Sequence, residues 1–188
     1  GTGPIFVLCW LMFTDVAISR WLAALVPLVI TLQFALVGWG VIKDEAAVKA
    51  MSRTGDPREI LRGPLFYGIV FVAMTLIYWK DSLIGIPALM ILCGGDGIAD
   101  IVGRRVKSRR WFWSPEKSVA GSLSVFLGGW LLTMFIFTIY VWMGAFSGPT
   151  TRFVLPVTIV AIAATLIESL PFKDIDNITI ALACALIG

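Results

Sequence analysis

The chain has 188 residues, of which 59% are hydrophobic and 14% are charged, and its mean hydropathy is +0.92. Soluble domains carry about 25% charged residues, so this composition excludes an ordinary soluble globular protein and predicts an integral membrane protein. The net charge of +3 is too small to indicate nucleic-acid binding, and the sequence has no histidine, which excludes Ser-His-Asp catalysis and histidine-ligated zinc within these residues.

Apolar runs of about 17 to 25 residues, the length that crosses a bilayer, recur along the whole chain. We therefore predict one all-α domain over residues 1–188, a polytopic transmembrane helix bundle of about seven spans. The spans are predicted at 4–18 (short), 21–42, 64–79, 82–101, 119–143, 153–171 and from 178 onward. Because the chain opens within an apolar run without a methionine and closes within another, we expect it to be part of a longer protein.

The basic residues are distributed unevenly between the connections. When the connections are assigned alternately to the two sides, one side receives only Arg20, Lys80 and Arg152 of the 15 basic residues. The positive-inside rule predicts that the other side faces the cytoplasm or an equivalent compartment such as a plastid stroma. Most of the acidic residues also lie on that side, so we predict a functional site there. Its polar connections are 43–63, 102–118 and 172–177.

The connection 43–63 contains two predicted local elements. The stretch "DEAAVKAMSR" is typical of a short amphipathic surface helix, and "PREILRG" begins another turn after Gly55. Arg58, Glu59 and Arg62 are interpreted as solvated loop residues, with phosphate contacts as the alternative.

Two acids, Asp96 and Asp100, lie in the last part of the predicted span 82–101, after the apolar stretch "LIGIPALMIL", and are four residues apart, which on a helix places them on one face. Paired carboxylates without histidine or cysteine suit a hard cation such as Mg²⁺, which completes its shell with water and substrate phosphate. The alternative is that they only pair with Arg104 and Arg105. The neighbouring glycines allow another group to approach the backbone closely, and they are Gly94, Gly95 and Gly97.

The stretch "SPEKSVAGS", residues 114–122, is predicted to begin a helix, with Ser114 as the N-cap and Pro115 in the first position. Free backbone N–H groups and the helix dipole favour an anion at such a terminus. We predict a phosphate cradle here, and the alternative is an ordinary helix cap with a snorkelling lysine. The residues of the predicted cradle are Lys117, Ser118, Gly121 and Ser122.

A third cluster lies in "ESLPFKDIDN", where Glu168 falls inside an apolar helix near the same face. Acids within membrane segments are expensive and usually functional. Asp176 and Asn177 are equally well explained as caps of the last helix. The aromatic residues Trp111 and Trp113 are interpreted as part of an interfacial belt, with lipid access to the site as the alternative.

These motifs resemble a known family. "GGDGIADIVGRR", "SPEKSVAGS" and "ESLPFKDIDNITI", in this order, are similar to the phytol and farnesol kinases of the polyprenol kinase family, and "KDEAAVKAMSRTGDPREILRGPLFYG" resembles the plant branch. The second motif is also similar to a signature of the phosphatidate cytidylyltransferases. One departure from the kinase pattern is that Val106 and Lys107 follow the arginine pair.

The resemblance implies a kinase that uses CTP as phosphate donor, Mg²⁺, and a prenyl alcohol such as phytol or farnesol dissolved in a plastid membrane, and that feeds tocopherol biosynthesis when phytol is the substrate. It implies that Asp96 and Asp100 hold the metal. The predicted catalytic residues are Asp100, Lys117, Glu168 and Asp176. The predicted nucleotide-binding residues are Gly95, Gly97, Arg104, Arg105, Lys117, Ser118, Gly121, Ser122 and Asn177.

The mechanistic hypothesis is an in-line attack of the alcohol on the γ-phosphate, with a carboxylate among Asp100, Glu168 and Asp176 accepting the proton. Two alternatives stay open: a CTP-dependent cytidylyltransferase acting on phosphatidate or a prenyl phosphate, and an ion-coupled transporter. A transporter should carry charges near the midplane and on both faces, whereas these charges gather on one. The preferred alcohol, the choice of nucleotide and the oligomeric state stay open.

Overall fold

A computed structural model of the chain describes residues 2–13, 17–52, 54–80, 82–172 and 175–187, apart from the side chains of Asp96, Asp100 and Arg104. The described residues form helices and short connections, with an isolated β-bridge between Arg110 and Ser118. The all-α prediction is therefore confirmed.

The helices in chain order are α1 (Gly3–Cys9), α2 (Ala17–Gly38), α3 (Glu45–Met51), α4 (Gly63–Ile77), α5 (Gly85–Met90), α6 (Gly97–Arg105), α7 (Val119–Trp142), α8 (Val154–Glu168) and α9 (Asp176–Ile187). Short 3-10 helices lie at Trp10–Met12, Pro57–Leu61 and Thr150–Phe153. A π-helical segment, Ile91–Asp96, joins α5 to α6 without a break. The predicted surface helix in the connection 43–63 is confirmed as α3, whose N-cap Asp44 accepts a hydrogen bond from the Ala47 amide.

Five segments are long and apolar enough to cross a membrane, judged by length and composition: Ala17–Gly38, Pro57–Ile77, Gly85–Gly103, Val119–Trp142 and Thr150–Glu168. Large apolar side chains lie exposed along them, as a lipid-facing surface requires.

The other two predicted spans are shorter in the structure. Within the predicted span 4–18, α1 passes into a 3-10 turn that ends at Met12, and residues 14–16 lie outside the described part. The last apolar helix, Asp176–Ile187, has 12 residues. At 1.5 Å per residue it is about 18 Å long, well below the roughly 30 Å of a bilayer core.

The segment from α5 through the π-helical turn lies at the centre of the bundle, where Ile86, Leu89, Met90 and Ile91 are fully buried. It packs against α7 through glycines on both partners. A Cβ atom on Gly95 would lie 2.8 Å from the carbonyl oxygen of Val125. This close approach brings the start of α6 to the amino-terminal part of α7, and π-helical turns often occur at functional sites.

The packing predicts that alanine substitutions at two neighbouring glycines differ in their effect on the free energy of unfolding. Gly95→Ala should lower the free energy of unfolding by about 1 to 3 kcal/mol, because the added methyl group meets the α7 backbone, which cannot move aside cheaply. Gly97→Ala should leave it unchanged or slightly higher, since a Cβ there meets no atom within 4 Å. Denaturant unfolding in detergent measures both, and equal losses would contradict the predicted packing of Gly95.

Candidate active site

An ion cluster joins three parts of the chain at one end of the bundle. The Lys117 Nζ atom lies 2.7 Å from Glu168 Oε1 and 2.5 Å from Asp176 Oδ2. Lys117 comes from the connection before α7, Glu168 is the last residue of α8, and Asp176 is the first residue of α9. The structure thus brings together three of the four residues that the sequence predicted as catalytic.

The connection before α7 holds Lys117 in place through its own backbone hydrogen bonds. The Trp111 amide donates to the Lys117 carbonyl, and the Lys117 amide donates to the Ser114 carbonyl. The Arg110 side chain also donates to the Glu116 carbonyl at 2.6 Å. These bonds fold residues 110–118 into a compact loop, so the lysine side chain leaves it in a defined direction.

The surroundings of Lys117 determine its charge. Burial by itself lowers the pKa of Lys117, but hydrogen bonds and the negative charges of Asp176 and Glu168 together raise the pKa above its ordinary value of 10.5. The lysine is therefore a fixed cation at neutral pH. The stabilisation that the folded protein gains from the charged Lys117 is fully present below the ordinary lysine pKa. It is lost only as the pH rises through the raised pKa of Lys117.

The start of α7 differs from the sequence prediction. The N-cap is Ser118 rather than Ser114, and its Oγ accepts from the Gly121 amide at 3.1 Å. Ser114 is buried in the preceding loop, where among the described residues its hydroxyl has no hydrogen-bond partner. The loop turns back on itself at Ser114, and the bridge between Arg110 and Ser118 delays the first helical residue to Val119.

The amides at this terminus are already engaged. The Val119 amide donates to the Arg109 carbonyl, and the Ala120 amide donates to Ser108 Oγ at 3.1 Å. The prediction of free N–H groups is therefore wrong for these amides and for the amide that Ser118 Oγ caps. An anion at this end would have to be held by side chains, chiefly Lys117, and by the helix dipole.

Ser122, one turn into α7, lies between an indole and a carboxylate. Its Oγ accepts from Trp111 Nε1 at 3.0 Å and donates to Glu168 Oε2 at 3.4 Å. Trp111 stacks on Trp113 with ring centroids 4.6 Å apart, and Trp113 Nε1 donates to the Ser169 carbonyl. The two tryptophans thus attach the loop to α7 and α8, a role that the sequence analysis missed because indoles near a membrane surface are usually interfacial.

The remaining predicted residues lie around this cluster. A Cβ on Gly103 in α6 would lie 3.7 Å from Ser118 Oγ, so the helix that carries Asp100 runs beside the start of α7. The side chains of Asp96, Asp100 and Arg104 lie outside the described residues, and the predicted metal site stays a prediction. Arg105 is exposed at the end of α6.

Other predicted residues lie outside the ion cluster. Asn177 lies inside the first turn of α9 rather than at its cap, and its Nδ2 donates to the Gly63 carbonyl at 2.9 Å, which ties α9 to the start of α4. Gly95 is explained by packing against α7, whereas Gly97 is exposed and open. Glu59 accepts from the Thr54 hydroxyl at 2.6 Å, so it shapes its own loop.

Removing the cation should cost stability. Lys117→Met leaves the buried Glu168 carboxylate without its counter-ion, and we expect the free energy of unfolding to fall by about 3 kcal/mol. The double variant Lys117→Met/Glu168→Gln should recover most of this loss, because no buried charge then remains. Lys107→Met, on an exposed loop position, is the matched control for charge. A double variant as unstable as the single one would contradict the ion-pair explanation.

No family model matches the chain, and no solved structure matches it. Curated plant proteins do match over its whole length. A probable chloroplastic phytol kinase of Triticum aestivum is 38% identical over 189 residues, covering 100% of this chain and 63% of the relative.

Two relatives from Arabidopsis thaliana match similarly. The chloroplastic farnesol kinase is 40% identical over 99% of this chain and 61% of its own length, and the chloroplastic phytol kinase 1 is 36% identical over 98% and 62%. The chain thus spans about three fifths of the length of the curated relatives that it matches. The resemblance inferred from the motifs is confirmed: over nearly all of its length, the chain is similar to the plant phytol and farnesol kinases.

Proposed function

We propose that this chain carries the catalytic region of a kinase that transfers the γ-phosphate of CTP to the hydroxyl of a membrane-dissolved prenyl alcohol, such as phytol or farnesol. The observation that carries the proposal is the ion cluster of Lys117, Glu168 and Asp176 at the end of apolar helices, in a chain similar to these kinases. A fixed cation with carboxylates beside it serves phosphoryl transfer, in which positioning and charge stabilisation supply most of the catalysis.

In this proposal, residues at and beside the ion cluster bind the nucleotide, stabilise its charge and accept the proton of the alcohol. Lys117 binds the triphosphate and balances the charge that develops on the transferred phosphoryl group. Ser118, the N-cap of α7, adds a hydroxyl donor near the same point, and Ser122 holds the Glu168 carboxylate through its own hydroxyl. A carboxylate, Asp176 or Asp100, accepts the proton of the attacking alcohol.

The proposal includes Mg²⁺, held by Asp96 and Asp100. These acids lie one helical turn apart in the backbone, on either side of the exposed Gly97, where the structure leaves open space. Two carboxylates and an open approach suit a cation that keeps several of its waters and takes phosphate oxygens. When bound, Mg²⁺ neutralises charge on the nucleotide phosphates.

The alcohol approaches from the lipid, while the nucleotide comes from the aqueous side. We propose that the short helices Gly3–Met12 and Asp176–Ile187 belong to a sixth and a seventh span, and that the connections 43–63, 102–118 and 172–177 face the stroma of a plastid. The excess of basic residues on these connections supports that orientation. The matched relatives are named chloroplastic, and a phytyl phosphate product would serve tocopherol biosynthesis.

The direct test uses the full-length protein in detergent with Mg²⁺, CTP labelled at the γ-phosphate, and phytol, farnesol or phosphatidate. We expect label in the lipid fraction with a prenyl alcohol, and the best acceptor identifies the substrate. Label leaving as pyrophosphate, with turnover only on phosphatidate, would instead establish the cytidylyltransferase reaction that shares these motifs.

The same assay tests the metal assignment. Asp100→Asn should lower turnover by at least about 100-fold, because the amide keeps the size of the side chain but loses the charge that binds the cation. Asp56→Asn is the matched control, since Asp56 caps the Pro57–Leu61 turn, where asparagine serves equally well. Near-normal turnover in Asp100→Asn would contradict the assignment.

A further inference from the structure

The two carboxylates that contact Lys117 differ in burial. The Glu168 side chain is 6% exposed, whereas that of Asp176 is 23% exposed, similar to the 21% of Lys117 itself. A buried carboxylate that loses its counter-ion is destabilised far more than one that water can reach. Glu168 therefore needs Lys117 more than Asp176 does.

Hydrogen bonds hold Glu168 in place. Both oxygens of Glu168 are engaged, Oε1 by Lys117 and Oε2 by the hydroxyl of Ser122. Ser122 is held in turn by Trp111, so Glu168 is part of a chain of hydrogen bonds that runs from the loop into α7 and α8. This chain fixes the Glu168 carboxylate and, through it, one side of the lysine.

The helix termini separate the two acids further. Glu168 ends α8, where the helix dipole is unfavourable for a negative charge, and Asp176 begins α9, where the dipole stabilises one. Asp176 thus retains a favourable environment without the lysine. The hydrogen bond from Asn177 to the Gly63 carbonyl holds this turn of α9 through a contact that does not involve Asp176.

The charge of the cluster favours the release of one carboxylate from Lys117. Lys117, Glu168 and Asp176 together carry one net negative charge, which repels a triphosphate. Withdrawal of one carboxylate from Lys117 removes this repulsion and strengthens the contact between the ammonium group and a phosphate oxygen. The burial and the helix termini both select Asp176 for withdrawal.

We propose that Glu168 is a positioning residue that keeps Lys117 at the start of α7, and that Asp176 is an exchangeable counter-ion whose place on Lys117 is taken by a phosphate group of the nucleotide. The inference rests on the proposed function for the identity of the nucleotide. The exchange itself requires only that a polyphosphate binds at Lys117.

The test measures polyphosphate binding without turnover. The full-length protein in detergent is treated with an amine-acylating reagent at increasing concentrations of inorganic tripolyphosphate, and acylation of Lys117 is quantified by peptide mass spectrometry. The tripolyphosphate concentration that halves the acylation rate, called the half-protection concentration, reports the affinity of the protein for tripolyphosphate at Lys117. Glu45→Gln, on the exposed face of α3, is the control for loss of one negative charge.

We expect the two acids to act in opposite directions. Asp176→Asn should lower the half-protection concentration about five-fold, the size expected for one unit charge at about 4 Å in water. Glu168→Gln should raise it, because Lys117 loses its anchor, and Glu45→Gln should leave it unchanged. Charge removal alone would lower the value in both acid variants, so a shift in the same direction for both overturns the proposal.

Other outcomes are equally decisive. If tripolyphosphate does not protect Lys117 in the wild type, the exchange is overturned. Should Glu168→Gln not fold, Asp176→Asn still decides, because an unchanged or higher value overturns the proposal. Phosphorylation of prenyl alcohols, assayed on the same preparations, separates the two claims: transfer without opposite shifts overturns the exchange alone, and opposite shifts without transfer overturn the kinase alone.

Discussion

Glu168 is a carboxylate buried at the end of an apolar helix, and such a buried charge requires a cation. The arrangement of the rest of the site depends on this requirement. Nothing in α8 itself can supply the positive charge, since the helix is apolar up to its last residue. The loop before α7 supplies it by folding Lys117 toward α8. Because Asp176 contacts the same lysine, this one interaction fixes the relation between the loop, α8 and α9.

The second constraint is the close packing of α7 against the segment from α5 to α6. Glycines on both sides allow the backbones to approach, and the π-helical turn lies at this contact. In lipid, small residues of this kind provide the packing that the hydrophobic effect cannot provide between helices. The start of α6 thereby lies beside the start of α7, so that the helix that carries Asp100 and the lysine-bearing loop share one end of the bundle.

This arrangement suits a reaction between a water-soluble donor and a lipid-dissolved acceptor. The charged groups gather where helices end, while the exposed apolar side chains cover the rest of their length. In the proposed exchange, the two acids of the ion cluster have separate roles because they differ in burial. Glu168 holds Lys117, and Asp176 is replaced by a phosphate group. Under the proposed function, Lys117 serves both structure and phosphate binding, which accounts for its two acidic partners on different helices.

The sequence by itself determined the class of protein, most helix positions, the resemblance to the plant kinases and the polar residues worth considering, because apolar length and short motifs are local properties. It could not determine which residues meet. The contacts of Lys117 with Glu168 and Asp176 join positions 51 and 59 residues apart, and those of Trp111 and Trp113 depend on how a loop folds onto two helices. The cap at Ser118 also needed the tertiary structure, because a bridge within the loop, rather than helix propensity, decides where α7 begins.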